Sequence, residues 1–314
     1  MPFVTVGKEY SSDVRIHFEE YGRGKPVILI HGYPQSGRAW ERQIPALVEA
    51  GYRVITYDRR GFGLSSQPWD NYNYDVFAED LNKLIGSLNL RGVALVGHSM
   101  GAGEVARYLG KYGTENVEKA VFVAGVPPFL LKTSDNPEGI DREMFERLKG
   151  ILAADMPAFL SKFCREFYNA DLLAESLMGD PVTHAGWSVS VDASPKADRV
   201  CIDTWLTDFR EDVKRIDILT LVIQGDSDRI VPLKASGARL PQLIRDCKLV
   251  VIKGGPHGIG WTHAHQVNQE LIRFLAAGRC PAVIGDRLSE GSERFNLATL
   301  WCEPQKLAYP EPAG

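Results

Sequence analysis

The pentapeptide Gly97–Gly101, with the sequence GHSMG, decides the fold of this chain. It follows the apolar run Val93–Val96, which is typical of a buried strand, and it opens a helical stretch, Ala102–Lys111. A serine at such a tight turn adopts strained backbone geometry, and glycines on both sides keep the strand and the helix from colliding. The pattern therefore predicts a nucleophile elbow that lifts the hydroxyl of Ser99 clear of a sheet, at the positive end of a helix.

The composition limits the function classes. The chain has 314 residues, of which 44% are hydrophobic, enough for one large core or for a core with an insertion. A net charge of −4 provides no basic surface, so we expect neither nucleic acid nor membrane as a partner. The opening Met1–Glu9 is charged too early for a signal peptide. The five cysteines are scattered and odd in number, so we expect a reduced, cytoplasmic setting. They also lack zinc-ligand spacing, so we expect no structural metal. The cysteines are Cys164, Cys201, Cys247, Cys280 and Cys302.

Strands and helices alternate along the first part of the chain and again near its end. This alternation predicts an α/β fold with a mostly parallel, doubly wound sheet that carries helices on both faces. The predicted strands are Val4–Val6, Val14–Phe18, Pro26–Ile30, Arg53–Tyr57, Val93–Val96, Lys119–Val123, Thr220–Ile223 and Leu249–Ile252. Helices are predicted around Trp40 to Val48, from Tyr74 to Leu88, after the elbow, and around Val267 to Leu275.

The pattern changes between Pro127 and about Arg215, where no strand is evident and aromatic residues are frequent. Helical segments are predicted at 142–152, 156–168 and 197–207. We interpret residues 128–215 as a helical cap, inserted at the carboxyl edge of a core formed by residues 1–127 and 216–277. Residues 278–314 have little periodicity apart from Phe295–Trp301. They are predicted to form a C-terminal extension that lies over the surface or is disordered, with subunit contacts as a further role.

A serine nucleophile needs a base that an acid holds in one tautomer, and this fold places them in the order Ser, acid, His. The loop Gly225–Pro232 follows a late strand and contains both Asp226 and Asp228. We favour Asp228 as the acid, since it lies further into the loop, and interpret Asp226 as a residue that structures the loop.

The histidine is expected after the last strand, where the glycine-rich loop Lys253–Gly258 contains His257. His263 and His265 fall at the start of the final helix, which favours capping or exposed positions. His98, beside the nucleophile, is interpreted as a packing residue.

An oxyanion intermediate needs donors that are already in place. The main-chain N–H of Met100, directly after the nucleophile, is the first expected donor. The second is the N–H of Tyr33 in the loop His31–Pro34, because Pro34 has no N–H to donate. His31 is expected to brace this loop.

These motifs together resemble those of the α/β-hydrolase superfamily over about residues 1–277. More narrowly, the chain resembles the cofactor-free bacterial haloperoxidases, or perhydrolases, and the related aryl esterases and γ-lactamases. His98 departs from that pattern, because these enzymes often have phenylalanine there. The resemblance rests on the following segments: 31–34 (HGYP), 57–63 (YDRRGFG), 97–101 (GHSMG), 225–228 (GDSD), 256–258 (PHG) and 261–264 (WTHA).

The resemblance implies a triad of Ser99, Asp228 and His257, which transfers an acyl group from a small ester or lactam to Ser99 and releases it to water. Hydrogen peroxide in place of water would give a peracid, which oxidises halide outside the site without any cofactor. Relatives also imply a homo-oligomer. Pro34 is hypothesised to place the carbonyl of Tyr33 for a hydrogen bond from peroxide, and Phe129 and Trp205 are expected to line the substrate pocket.

Two other readings stay open at this stage. Carbon–carbon hydrolases and hydroxynitrile lyases keep a serine at the elbow, so the triad does not separate them from esterases. A ligand receptor that retains the fold and the triad is the alternative from another class. The physiological substrate does not follow from the sequence.

Overall fold

The computed structural model describes residues 1–172 and 180–278, and its eight strands form one sheet. The strands are β1 (Phe3–Glu9), β2 (Ser12–Tyr21), β3 (Lys25–Ile30), β4 (Tyr52–Tyr57), β5 (Val93–His98), β6 (Val117–Val123), β7 (Leu219–Gly225) and β8 (Cys247–Ile252). Their spatial order is β1-β2-β4-β3-β5-β6-β7-β8. The β1–β2 and β2–β4 pairs are antiparallel, and every later pair is parallel. The predicted mostly parallel sheet is confirmed.

Helices follow most of the parallel strands. They are α1 (Ile44–Glu49), α2 (Tyr74–Ser87), α3 (Met100–Tyr112), α4 (Arg142–Ala154), α5 (Met156–Phe167), α6 (Asp180–Ser190), α7 (Pro195–Thr204), α8 (Arg210–Val213), α9 (Ile259–Thr262) and α10 (Ala264–Ala276). Capping side chains start several of them; Asn73, for example, accepts a hydrogen bond from the N–H of Val76 at 3.1 Å. No described helix has the length and apolarity needed to cross a membrane.

The predicted helix around Trp40 to Val48 is shorter in the structure. Trp40 lies in a separate 3-10 turn, Gly37–Trp40, and α1 begins only at Ile44. Pro45 explains the late start, because proline suits the first turn of a helix and is excluded from its interior. The sequence pattern also missed α6 and α8.

The strands bury both faces, as a doubly wound sheet requires. In β3, Val27 and Leu29 belong to one apolar cluster, while Ile28 and Ile30 belong to the other. The first cluster includes Leu271 and Phe274 of α10. Alternate residues of one strand therefore meet helices on opposite sides of the sheet.

The chain between β6 and β7 contains α4 to α8. Helices α4 to α7 pack on one another, whereas α8 packs against α3. Their buried aromatic residues join the cluster that also holds α2 and α3. This arrangement agrees with a cap over one side of the core, although the boundaries 128 and 215 stay a prediction. The predicted extension 278–314 lies, apart from Gly278, outside the described residues.

Candidate active site

The elbow is built by close main-chain contacts around Ser99. Ser99 joins β5 to α3 with φ 54° and ψ −117°, a left-handed conformation that L residues rarely adopt. A Cβ atom on Gly97 would lie 2.4 Å from the carbonyl oxygen of Gly101. A Cβ atom on Gly101 would lie 2.3 Å from the carbonyl oxygen of Ile30. Both glycines are therefore required by packing.

The structure brings Ser99, His257 and Asp228 into one hydrogen-bonded chain. Nε2 of His257 lies 2.8 Å from Oγ of Ser99, and Nδ1 lies 2.9 Å from Oδ2 of Asp228. The side chains of His257 and Asp228 are completely buried. The geometry allows the imidazole to take a proton from the serine while the carboxylate holds its other nitrogen.

The two aspartates of the loop Gly225–Pro232, called the acid loop from here on, have different partners. Oδ1 of Asp228 accepts hydrogen bonds from the N–H groups of Ile230 and Val231 at 3.0 and 2.8 Å, which leaves Oδ2 for His257. Asp226 accepts a hydrogen bond from the N–H of Gly254 at 2.7 Å. Asp226 thus ties the acid loop to the loop that carries His257.

Two main-chain donors lie at the ends of β3 and β5. Within the described residues, no acceptor takes the N–H of Tyr33 or the N–H of Met100. The Tyr33 side chain is buried, and the peptide bond to Pro34 is cis. Unused N–H groups beside a serine can hold a developing oxyanion.

A buried ionic network supports the loop His31–Pro34, which we call the oxyanion loop after its expected role. Arg59 forms an ion pair with Glu104 at 2.7 Å, and its guanidinium donates to the carbonyl oxygen of His31 at 2.9 Å. Nε2 of His31 accepts the N–H of Arg59 at 2.9 Å, and burial lowers the pKa of His31 well below its ordinary value. His31 thus braces the loop, but sequence reasoning missed Glu104, which no local pattern marks.

His98 contacts His257 directly. Its Nε2 lies 3.2 Å from the carbonyl oxygen of His257, and the two ring centroids are 5.0 Å apart. A Cβ atom on Gly32 would lie 2.7 Å from Nδ1 of His98, so the oxyanion loop approaches this ring closely. Burial, and then the charge of His257, lower the pKa of His98 to about 3. The imidazole is therefore neutral near neutral pH.

The other two histidines near the final helix make contacts of their own. Nδ1 of His263 lies 2.8 Å from Oγ1 of Thr262, at the start of α10. His265 is exposed and lies 3.4 Å from Gln269.

Aromatic residues of the cap cover the site. The ring of Phe167 packs edge-on against the imidazole of His257, with centroids 4.9 Å apart. The ring of Phe163 lies 5.9 Å from both Phe167 and Tyr33. The sequence showed these rings only as part of an aromatic-rich segment, because their contacts join elements far apart in the chain.

A cavity of about 380 Å³ lies between these cap aromatics and the acid loop. Phe163 and Trp205 line it on the cap side, and Ile230 and Pro232 line it on the loop side. Trp205, one of the two predicted pocket residues, thus borders a cavity next to the acid loop. Phe129 does not line this cavity; its ring packs under the guanidinium of Arg210, 4.9 Å away.

Residues 25–264 match the family model that describes the alpha/beta hydrolase fold. The chain is 54% identical to a protein of Synechocystis sp. that is provisionally named a non-heme chloroperoxidase, over 88% of this chain and all of that one. It is 34% identical to a bifunctional esterase/perhydrolase of Acinetobacter calcoaceticus, over 83% of this chain and 96% of that one.

A comparison with solved structures points to the same family. The bromoperoxidase of Bacillus anthracis superposes with a TM-score of 0.84 at 47% identity, covering 87% of this chain and 99% of that one. The chain belongs to the α/β-hydrolase family, within its group of non-heme haloperoxidases and esterases.

Proposed function

We propose that this protein is a serine hydrolase that cleaves small esters through an acyl-enzyme on Ser99, with perhydrolysis as a side activity. The single observation that carries the proposal is the buried chain from Ser99 through His257 to Asp228, with both distances below 3 Å. Relatives named esterase/perhydrolase and non-heme chloroperoxidase support both the ester hydrolysis and the perhydrolysis.

In the acylation step, Nε2 of His257 takes the proton of Ser99 as Oγ attacks the ester carbonyl. The carbonyl oxygen becomes an oxyanion, which the N–H groups of Tyr33 and Met100 stabilise. When the carbon–oxygen bond breaks, the imidazolium gives its proton to the departing alcohol. Asp228 stabilises the imidazolium throughout.

In the second step, a water molecule attacks the acyl-enzyme and the carboxylic acid leaves. Hydrogen peroxide in the same position gives a peracid instead, because its oxygen forms the new bond to the acyl carbon and Ser99 regains a proton through His257. The peracid then oxidises halide in solution and returns to the carboxylic acid. The haloperoxidase reaction so described needs only the triad, a short carboxylic acid and peroxide.

Pro34 belongs to this proposal as the residue that favours peroxide over water. The cyclic side chain restricts the backbone next to Tyr33, whose carbonyl is then available to accept a hydrogen bond from peroxide. Phe129 and Trp205 are both proposed as pocket residues. Trp205 borders the cavity described above, whereas the ring of Phe129 packs against Arg210. Cleavage of γ-lactams and a cytoplasmic location remain parts of the proposal.

The test combines turnover with covalent labelling. The wild-type protein is incubated with p-nitrophenyl acetate, before and after treatment with a serine-directed phosphonate, and the labelled residue is found by mass spectrometry. We expect steady turnover that stops when one phosphonate is bound at Ser99. Release of a single acyl equivalent without turnover would instead identify a receptor that retains the triad.

A substrate panel then separates the enzyme classes. It contains short-chain esters, aryl esters, a bicyclic γ-lactam, and acetate plus peroxide with a halogen acceptor. Turnover of the esters and of the peroxide mixture is the expected result. A protein that leaves all of these unchanged but cleaves a carbon–carbon bond or a cyanohydrin would contradict the proposal.

A further inference from the structure

Three buried side chains near the oxyanion loop have polar atoms without a hydrogen-bond partner among the described residues. These atoms are the phenol oxygen of Tyr33, the indole N–H of Trp205, and both carboxyl oxygens of Asp198. Asp198 is 0% exposed. Buried polar groups are nearly always paired, so a cluster of unpaired ones indicates a site for a polar ligand.

The three side chains come from two elements that meet beside the elbow. Tyr33 belongs to the oxyanion loop, whereas Asp198 and Trp205 lie seven positions apart on and just after α7, on the same side of that helix. The rings of Tyr33 and Trp205 pack edge-on with centroids 5.0 Å apart. Burial, and then the charge of Asp198, raise the pKa of Tyr33 well above its ordinary range.

The cluster adjoins the cavity that borders the acid loop. Trp205 and Phe163 line the cavity of about 380 Å³, and both rings pack against Tyr33. The outer rim of that cavity is open, since Met144 and Ile151 are 47% and 37% exposed. The cluster therefore lies at the buried end of this cavity, beside the loop that carries Tyr33.

Asp198 is a neutral hydrogen-bond donor near neutral pH. Burial raises the pKa of its carboxyl to about 8, and no described cation pairs with it. With the Tyr33 hydroxyl and the Trp205 N–H, the cluster then presents three donors in one place. The fitting partner is an uncharged oxygen, because an anion would need a cation that the described cluster lacks.

We propose that Asp198, Tyr33 and Trp205 form a subsite that binds an uncharged ether, keto or hydroxyl oxygen in the acyl part of the substrate. The acyl part is assigned because it remains on Ser99 after the alcohol has left, so it occupies the buried end. The departing alcohol leaves through the open rim. This inference rests on the proposed function and adds the substrate class, oxygen-substituted short acyl esters.

The experiment compares esters that differ in one atom. p-Nitrophenyl methoxyacetate is matched with the butyrate, and the methoxypropanoate with the pentanoate, so that an ether oxygen replaces a methylene group. The quantity measured is the ratio of kcat/KM between the members of a pair, in the wild type, in Asp198→Asn and in Asp198→Leu. Differences in intrinsic reactivity are the same for every variant and cancel when ratios are compared.

We expect Asp198→Leu to lower the ratio about tenfold for at least one pair, since one hydrogen bond is lost. Asp198→Asn, which still donates, should keep the ratio within about threefold. Asp198→Leu should also raise the Tm, because it removes an unpartnered buried acid. An unchanged ratio in Asp198→Leu would overturn the subsite, and a lower Tm with that unchanged ratio would identify Asp198 as structural.

A pH series gives a second readout should Asp198→Leu fail to fold. Two titratable groups interact with the charge of Asp198: Tyr33 of the oxyanion loop and Cys201 of α7. Burial raises the pKa of both, and the charge of Arg59 lowers the pKa of Cys201. The wild-type ratio should fall as the pH rises through about 8, where Asp198 loses its donor proton, while the Asp198→Asn ratio stays flat. Equal profiles would overturn the subsite. If the wild type hydrolysed neither ester of a pair, the proposed function would fail, and this inference with it.

Discussion

Oδ2 of Asp228 lies 2.9 Å from Nδ1 of His257, and neither side chain is exposed to solvent. In this buried pair the carboxylate selects the imidazole tautomer in which Nε2 of His257 accepts the proton of Ser99. The other oxygen of Asp228 is held by two main-chain N–H groups, so the acid has one orientation.

Asp228→Asn should lower kcat for p-nitrophenyl acetate by about 10³- to 10⁴-fold, because the amide favours the wrong imidazole tautomer. Asp226→Asn is the matched control in the same loop, and we expect its kcat to stay within about threefold of wild type. The main-chain partner Gly254 can still be bound by an amide oxygen. Similar losses in both variants would contradict the assignment of Asp228.

The buried pair of Arg59 and Glu104 should stabilise the protein as long as both charges are present. Glu104→Gln leaves the Arg59 cation without its counter-charge and is expected to lower the free energy of unfolding by about 3–5 kcal/mol. Urea denaturation measures the change. The exposed pair of Lys25 and Glu118 provides the control, since Lys25→Met should cost less than about 1 kcal/mol.

Glu104→Gln also tests whether the pair of Arg59 and Glu104 holds the oxyanion loop in place. Arg59 donates to the carbonyl oxygen of His31, so a displaced guanidinium should move the loop that carries Tyr33. We expect kcat to fall together with stability in Glu104→Gln. A destabilised protein with unchanged kcat would show that the loop is held by other contacts.

His98 should make the protein less stable in acid. Burial lowers its pKa to about 3, so between that value and its ordinary pKa the unfolded chain binds a proton that the folded chain does not. Above about pH 6.5 His98 does not reduce the free energy of unfolding. Below that pH its contribution lowers this free energy by up to about 1.4 kcal/mol per pH unit.

His98→Phe removes this loss, so its unfolding free energy should depend less steeply on pH between about pH 6 and about pH 4. Urea denaturation at several pH values measures the slope. His265→Phe, at an exposed position, is the control, and its slope should match that of the wild type. An unchanged slope in His98→Phe would mean that His98 takes up its proton in the folded state.

Pro34→Leu should depress perhydrolysis relative to ester hydrolysis. The expected change in the ratio of peracid to acid formed is about tenfold, the effect of one hydrogen bond in the deacylation step. Both products are measured from one ester at a fixed peroxide concentration, so hydrolysis serves as the internal control. A ratio equal to that of the wild type would remove Pro34 from the proposal.

Much of the fold followed from local patterns. The alternating apolar strands and helices predicted the doubly wound sheet because each buried strand carries its own signal. The helix predicted from Trp40 begins only at Ile44. The apolar spacing continues back to Trp40, but Pro45 has to lie in the first turn and so sets the start of the helix. The short helix α8 has too few residues for a periodic pattern.

The sequence by itself determined the elbow, because Gly97, Ser99 and Gly101 are adjacent and a tight turn from strand to helix demands those residue types. Tertiary structure alone decided which buried groups surround the reacting atoms. Glu104, His98 and Asp198 have no distinguishing neighbours in the chain, and their properties come from contacts with distant loops and helices. Burial and hydrogen-bond pairing are properties of such long-range contacts, so no local pattern encodes them.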